Sequence, residues 1–194
     1  SLVGSEMCIR DSLILLLQNF LTAENWPAWR GKDATGSTGA GQYPSELNLQ
    51  KNLQWKAPLP EKGCSTPIVW EDSILLTSPL EGQDAVLSFS LDGERKWQTT
   101  VGPERKGRHL NGSGSNPSVV TDGERLYALF KSGNLACLDF SGTILWQKDL
   151  SSYGKDTLYW DFGTSPILTS RHLIVALMRK GNSWLLAFEP KGGE

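Results

Sequence analysis

The sequence predicts an all-β chain that forms a partial β-propeller of four-stranded antiparallel blades. Three observations carry this. First, Pro67, Pro117 and Pro166 recur at spacings of 50 and 49 residues, and the pairs Gly93/Gly142 and Trp97/Trp146 each recur at 49. Second, 20 glycines and 10 prolines punctuate 194 residues, a density of turn formers that favours short strands. Third, each full repeat holds about four short apolar runs separated by turn residues, with no helical period. A period in the forties to fifty belongs to propellers and some solenoids, and four antiparallel strands per repeat make a blade.

The elements follow in order. Residues 52–59, NLQWKAPL, read as one strand. Three units then begin at Ser65, Ser115 and Thr164. In the second unit the predicted strands are 118–121, 125–130, 134–140 and 143–150, joined at Gly123, Gly133 and Gly142. The third unit stops inside its final turn, before a last strand and its Trp. In strand three of the second unit, Leu135, Cys137 and Asp139 face one way and Ala136, Leu138 and Phe140 the other.

QDAVLSFSLDGERKW (83–97) and SGNLACLDFSGTILW (132–146) place a strand, a Gly turn and a Trp in the same order 49 residues apart. A blade cannot bury both faces alone. A flat Trp, burying on the order of 200 Å², therefore docks each blade on the next. Trp55, Trp97 and Trp146 are the docking side chains, and Gly93 and Gly142 the docking turns.

The ends and the composition bound the function. Residues 1–12, SLVGSEMCIRDS, resemble a translated sequencing adapter and read as foreign to the protein. Residues 13–23 carry the run LILLL and end at Ala23, which reads as a signal peptide. Export to the periplasm or the extracellular space is expected. The run is far too short to span a bilayer, so no transmembrane span is expected. Residues 24–51 read as an irregular segment. Its GSTGAG lacks the strand, helix and G-K-[ST] ending of a phosphate loop. The net charge of −2 gives no basic footprint, which excludes nucleic acid as a partner. Cys8, Cys64 and Cys137 have no metal-ligand spacing, and Cys64 and Cys137 are expected as buried strand thiols. His109 and His172 are too far apart in sequence for a zinc motif. DFG at 161–163 has no kinase context, and Ser113 and Ser115 lie in a turn without a nucleophile elbow.

These residues resemble the PQQ-like, tryptophan-docking repeat family, whose pattern runs A-x-D-x-x-T-G-K-x-x-W. Cys137, Asp139, Gly142 and Trp146 match it with one residue fewer before the Gly. Ser88, Ser90, Gly93 and Trp97 match more weakly, and Ala187, Glu189 and Gly193 open a third copy. NWPAWRG (25–31) with WKAPLPEKGCSTPIVW (55–70) looks like the start of exported bacterial members. The resemblance covers residues 25 to 194. It implies a disc of roughly seven or eight blades, of which residues 52–194 hold a closing strand and about three, with further C-terminal blades as their partners. In that family an N-terminal strand completes the last blade. Trp55 would then have nothing to pair with here, and the exposed sheet edges would favour aggregation.

The family includes quinone-dependent dehydrogenases, which use calcium, an Asp base and commonly a disulfide between adjacent cysteines. It also includes propellers that bind no quinone, such as the outer-membrane barrel-assembly lipoprotein. This sequence has neither adjacent cysteines nor a calcium-loop pattern. The expected function is therefore an exported, non-enzymatic scaffold with no cofactor, binding a protein or carbohydrate partner. The alternative is a fragment of a PQQ-dependent alcohol or sugar dehydrogenase, requiring PQQ and calcium. A third reading is a sensor or sugar-binding propeller joined to an enzyme beyond Glu194.

Function on a rigid scaffold sits in loops. Two are long, 102–115 and 151–163, and both link an outer strand to the next inner strand. They should share one face of the disc. The first brings Arg105, Arg108 and His109, and the second Tyr159, Trp160 and Asp161. Basic residues beside aromatics suit a carbohydrate, an acidic peptide or another anionic partner.

Overall fold

Three antiparallel sheets form, one per repeat. The computed structural model describes residues 24–39, 41, 43–154, 159–179 and 181–194. The adapter-like residues 1–12 and the predicted signal at 13–23 lie outside the described residues. The first sheet runs β1 (Ile68–Trp70), β2 (Ser73–Leu80), β3 (Gln83–Ser90) and β4 (Arg95–Pro103) in sequence order. The second repeats this with β5 (Val120–Thr121), β6 (Leu126–Leu129), β7 (Asn134–Leu138) and β8 (Ile144–Asp149). The third contains β9 (Ile167–Leu168), β10 (Leu173–Leu177) and β11 (Trp184–Phe188). This is the meander of a propeller blade. In the second blade the strand breaks fall at the predicted turns, with ends differing by at most two residues. Even the irregularities repeat. The β3–β4 ladder shifts register between Ser88 and Phe89, and the β7–β8 ladder between Cys137 and Leu138. A bulge beside each Gly turn increases the local twist and aims the Trp that follows.

The two faces of β7 go to two different cores, as the alternation predicts. Ala136 and Leu138 pack with Ile68, Leu75 and Val86 of the first blade. Leu135 and Cys137 pack with Leu173, Val175 and Leu177 of the third. The middle blade is thus buried on both sides, which is why β6 and β7 contain no exposed residue. The outer strand β8 alternates half-buried and exposed.

The blades are joined by tryptophan. A Cβ built on Gly142 would lie 2.8 Å from the Trp97 ring, and one on Gly193 would lie 2.9 Å from Trp146. Only glycine leaves room for the ring, and its φ of 87° at Gly142 is also one that other residues resist. Each indole N–H is satisfied across the gap: Trp97 Nε1 donates to the Phe140 carbonyl at 2.9 Å and Trp146 Nε1 to that of Pro190 at 2.9 Å. Thr99 Oγ1 adds a bond to the Gly142 carbonyl at 2.7 Å. A second Trp–Gly contact lies nearer the inner strands, where a Cβ on Gly123 would come 2.5 Å from Trp70.

Three expectations need correction. Residues 52–59 do not form a strand, because none of the described residues pairs with them in a ladder. Trp55 is nevertheless not left without a partner. It seats on the first blade's turn, its ring filling the place that a Cβ on Gly93 would take, and donates to the Leu91 carbonyl at 2.8 Å. Cys64 is exposed, since it precedes the start of β1 and lies in the connecting loop. The segment at 24–51 is largely irregular, yet its beginning is tied down. Trp26 and Val69 exchange backbone hydrogen bonds of 2.7 and 3.0 Å, and Thr121 N–H donates to the Pro27 carbonyl at 3.0 Å. The chain therefore crosses the inner strands of two blades.

Between the first two blades lies a fully buried carboxyl, Asp84. Its Oδ2 accepts from Ser132 Oγ at 2.5 Å and Asn134 Nδ2 at 2.9 Å, while Oδ1 has no partner. Burial pushes its pKa up from 3.8 to about 7, against the hydrogen bonds of Ser132 and Asn134 and with the help of the Glu104 charge. The folded state therefore holds a proton that the unfolded chain has released, and this group's contribution to stability falls as pH rises from about 4 to about 7. Asp84→Asn, which stays neutral and keeps an oxygen for both donors, should flatten that slope. Urea midpoints measured from pH 4 to pH 8 should show wild type losing stability relative to the variant. A wild type that gains on the variant through this range would contradict the assignment.

Candidate functional site

The two long loops meet on one face, and a buried carboxylate joins them. Asp161 sits at φ 67°, a left-handed conformation that Asp tolerates better than most residues. Its Oδ1 and Oδ2 accept the backbone N–H of Arg108 at 2.8 Å, and Oδ2 also accepts that of His109 at 2.8 Å. Lys131 Nζ forms an ion pair with Asp161 Oδ1 and a hydrogen bond of 3.1 Å to the Lys106 carbonyl. Both side chains of the ion pair are essentially without solvent contact. Burial alone would raise the Asp161 pKa, but the Lys131 ammonium and the two backbone N–H groups hold it below the ordinary carboxylate range.

Above this anchor stands a cluster of rings. His109 lies 4.6 Å from Trp160, tilted, and 5.5 Å from Tyr159, edge-on. Tyr159 meets Trp160 edge-on at 5.0 Å. Tyr159 and Trp160 remain 67% and 72% exposed, so their outward faces are open. Asn111 N–H donates to His109 Nδ1 at 3.2 Å, which leaves the hydrogen on Nε2 in the neutral ring. Beside the cluster is a cleft of about 350 Å³ walled by His109, Trp160, Asn111, Cys64 and Trp29.

Of the predicted site residues, Arg108, His109, Tyr159, Trp160 and Asp161 are brought together. Asp161 lies beneath the face and positions it. Arg105 takes no part in these contacts and is half-buried along the first loop. Lys131 escaped sequence reasoning, as did Trp29. The available signal for Lys131 was a charge ending the apolar run LYALF, before the SGN turn.

A family model described as outer membrane protein assembly factor BamB matches residues 47–193. The chain belongs to this family. No curated protein matches it. Among solved structures, the quinohemoprotein alcohol dehydrogenase from Comamonas testosteroni superposes with a TM-score of 0.68 at 18% identity, over 91% of this chain and 27% of that one. Quinohemoprotein alcohol dehydrogenase ADHIIG from Pseudomonas putida HK5 gives 0.60 at 17% identity, over 88% of this chain and 26% of that one. These likenesses show the propeller fold, and the chain spans about a quarter of the length of either structure. BamB from Moraxella catarrhalis gives a TM-score of 0.36 at 17% identity, over 62% of this chain and 27% of that one.

No two of the chain's three cysteines are adjacent. Among the described residues no group of three or more His, Cys, Asp or Glu is placed to hold a metal. The Asp161 carboxylate is already taken by Lys131. Among the described residues no helix is long and apolar enough to cross a membrane.

Removing one partner of a buried ion pair strands the other charge. Lys131→Met should destabilise the protein by about 3–5 kcal/mol and speed amide exchange at Arg108 and His109. Adding Asp161→Asn, which removes the stranded charge and suits the left-handed backbone, should recover part of the loss. Chemical denaturation with amide exchange checks this. An unchanged Lys131→Met variant would show that the pair does not organise the loops.

Proposed function

We propose that the chain is part of an exported, non-enzymatic β-propeller scaffold, which engages its partner through the face formed by loops 102–115 and 151–163. The partner class is a protein or a carbohydrate. The observation that carries this is the ring cluster of His109, Tyr159 and Trp160. Its open aromatic faces are mounted on loops fixed from below by Lys131 and Asp161. Rigid exposed aromatics bind with little loss of side-chain freedom. Arg108, exposed and next to His109 in the chain, adds positive charge. The family's description as an outer membrane assembly factor supports both a binding role and export, and the apolar run ending near Ala23 agrees with export.

Quinone-dependent dehydrogenation is the competing activity, and titration with PQQ and calcium separates the two. A ligand that binds only the folded state raises Tm. The melting temperature should stay unchanged, and dye-linked oxidation of alcohols or sugars should be absent. Calcium-dependent stabilisation by PQQ together with such oxidation would overturn the scaffold reading.

A further inference from the structure

We propose that the cleft beside Trp160 is a carbohydrate subsite for a neutral sugar. The inference rests on the binding-face reading above and names the ligand class. A sugar ring is amphipathic, with a C–H face that stacks on an aromatic ring and hydroxyls around its edge that need hydrogen bonds. The cleft supplies both. Trp160 forms one wall and is 72% exposed, yet it is held in place. His109 packs against it at 4.6 Å, and its neighbour Asp161 is locked to Lys131 and to the backbone of the opposite loop. Trp29 lines the same cleft from the N-terminal segment.

Three polar groups of the lining, Asn111, Ser118 and Ser165, are neutral and partly uncommitted. Among the described residues the Asn111 carboxamide has no hydrogen-bond partner within the protein. Ser118 Oγ accepts the Thr66 N–H at 3.1 Å and Ser165 Oγ accepts the Ser118 N–H at 2.9 Å, so each hydroxyl keeps a hydrogen to donate. Among the described residues the only carboxylate in the lining, Asp161, is compensated by Lys131. Among the described residues the lining holds no Lys or Arg to attract an anion, and its hydroxyls and carboxamide suit a lipid tail poorly. A volume of about 350 Å³ lies at the small end of ligand sites, as befits one or two sugar units with the remaining chain outside.

The test is calorimetric titration of the full chain with cellopentaose, maltopentaose and chitopentaose, alongside polygalacturonate and an acidic peptide. At least one neutral oligosaccharide should bind saturably. Trp160→Ala should weaken it about tenfold or more, and Asn111→Ala severalfold. Both residues are exposed, so Tm should hold in each variant. Binding of the acidic peptide or polygalacturonate alone would overturn the neutral-sugar assignment and leave the binding face standing. Sugar binding indifferent to Trp160→Ala would also overturn it. Failure of all ligands on folded protein would overturn it too, and a PQQ–calcium response in the same sample would then remove the scaffold reading with it.

Discussion

Everything in this molecule depends on one contact repeated: an indole ring lying against the bare Cα of a glycine in the next blade. A four-stranded sheet has two apolar faces and cannot cover either alone. Stacking blades solves this, provided something sets their spacing and angle. Trp55 on Gly93, Trp97 on Gly142 and Trp146 on Gly193 do so, and in each case the indole N–H finds a carbonyl of the same turn. The contact combines a large buried area with a directed hydrogen bond, so it specifies geometry as well as adding stability. The buried carboxyl of Asp84 crosses the same interface near the other end of the strands, bonding Ser132 and Asn134 of the next blade.

The candidate site inherits its precision from that stacking. The loops 102–115 and 151–163 leave the outer strands of successive blades. They meet only because docking holds the blades at a fixed spacing. Lys131, on the turn between β6 and β7, then reaches under both loops to Asp161. Asp161 in turn captures the backbone of Arg108 and His109. A buried ion pair is a poor source of net stability, and here its evident effect is positional. It holds the backbone beneath three aromatic rings that stay open to solvent.

Much of this was legible in the sequence, because the constraint is periodic. The 49-residue recurrence of Gly and Trp exposes the docking contact, and the alternation through 134–140 separates the two faces of β7, while which neighbouring blade each face meets is seen only in the fold. The shared face of the two long loops followed from strand connectivity alone. What stayed hidden was whatever has no periodic signature. Lys131 looks like an ordinary turn residue, and only the fold shows it buried against a carboxylate 30 positions away. Trp70 on Gly123 lacked a second copy to reveal it. The pairing of Trp26 with Val69 joins segments 43 residues apart through backbone atoms, which side-chain patterns do not report. Residues 52–59 were read as a strand from their composition, but a ladder needs a neighbour as well as suitable residues.

The most direct test of the docking contact compares Gly142→Ala with Gly82→Ala. Both glycines have positive φ, 87° and 76°, so an added methyl strains both backbones alike. They differ in what the methyl meets: the Trp97 ring at 2.8 Å for Gly142, and nothing within 4 Å for Gly82. Equilibrium unfolding in denaturant should show Gly142→Ala losing roughly 1–3 kcal/mol more than Gly82→Ala, the usual penalty for overpacking. Equal losses at the two positions would contradict the claim that tryptophan docking on bare glycine holds the blades together.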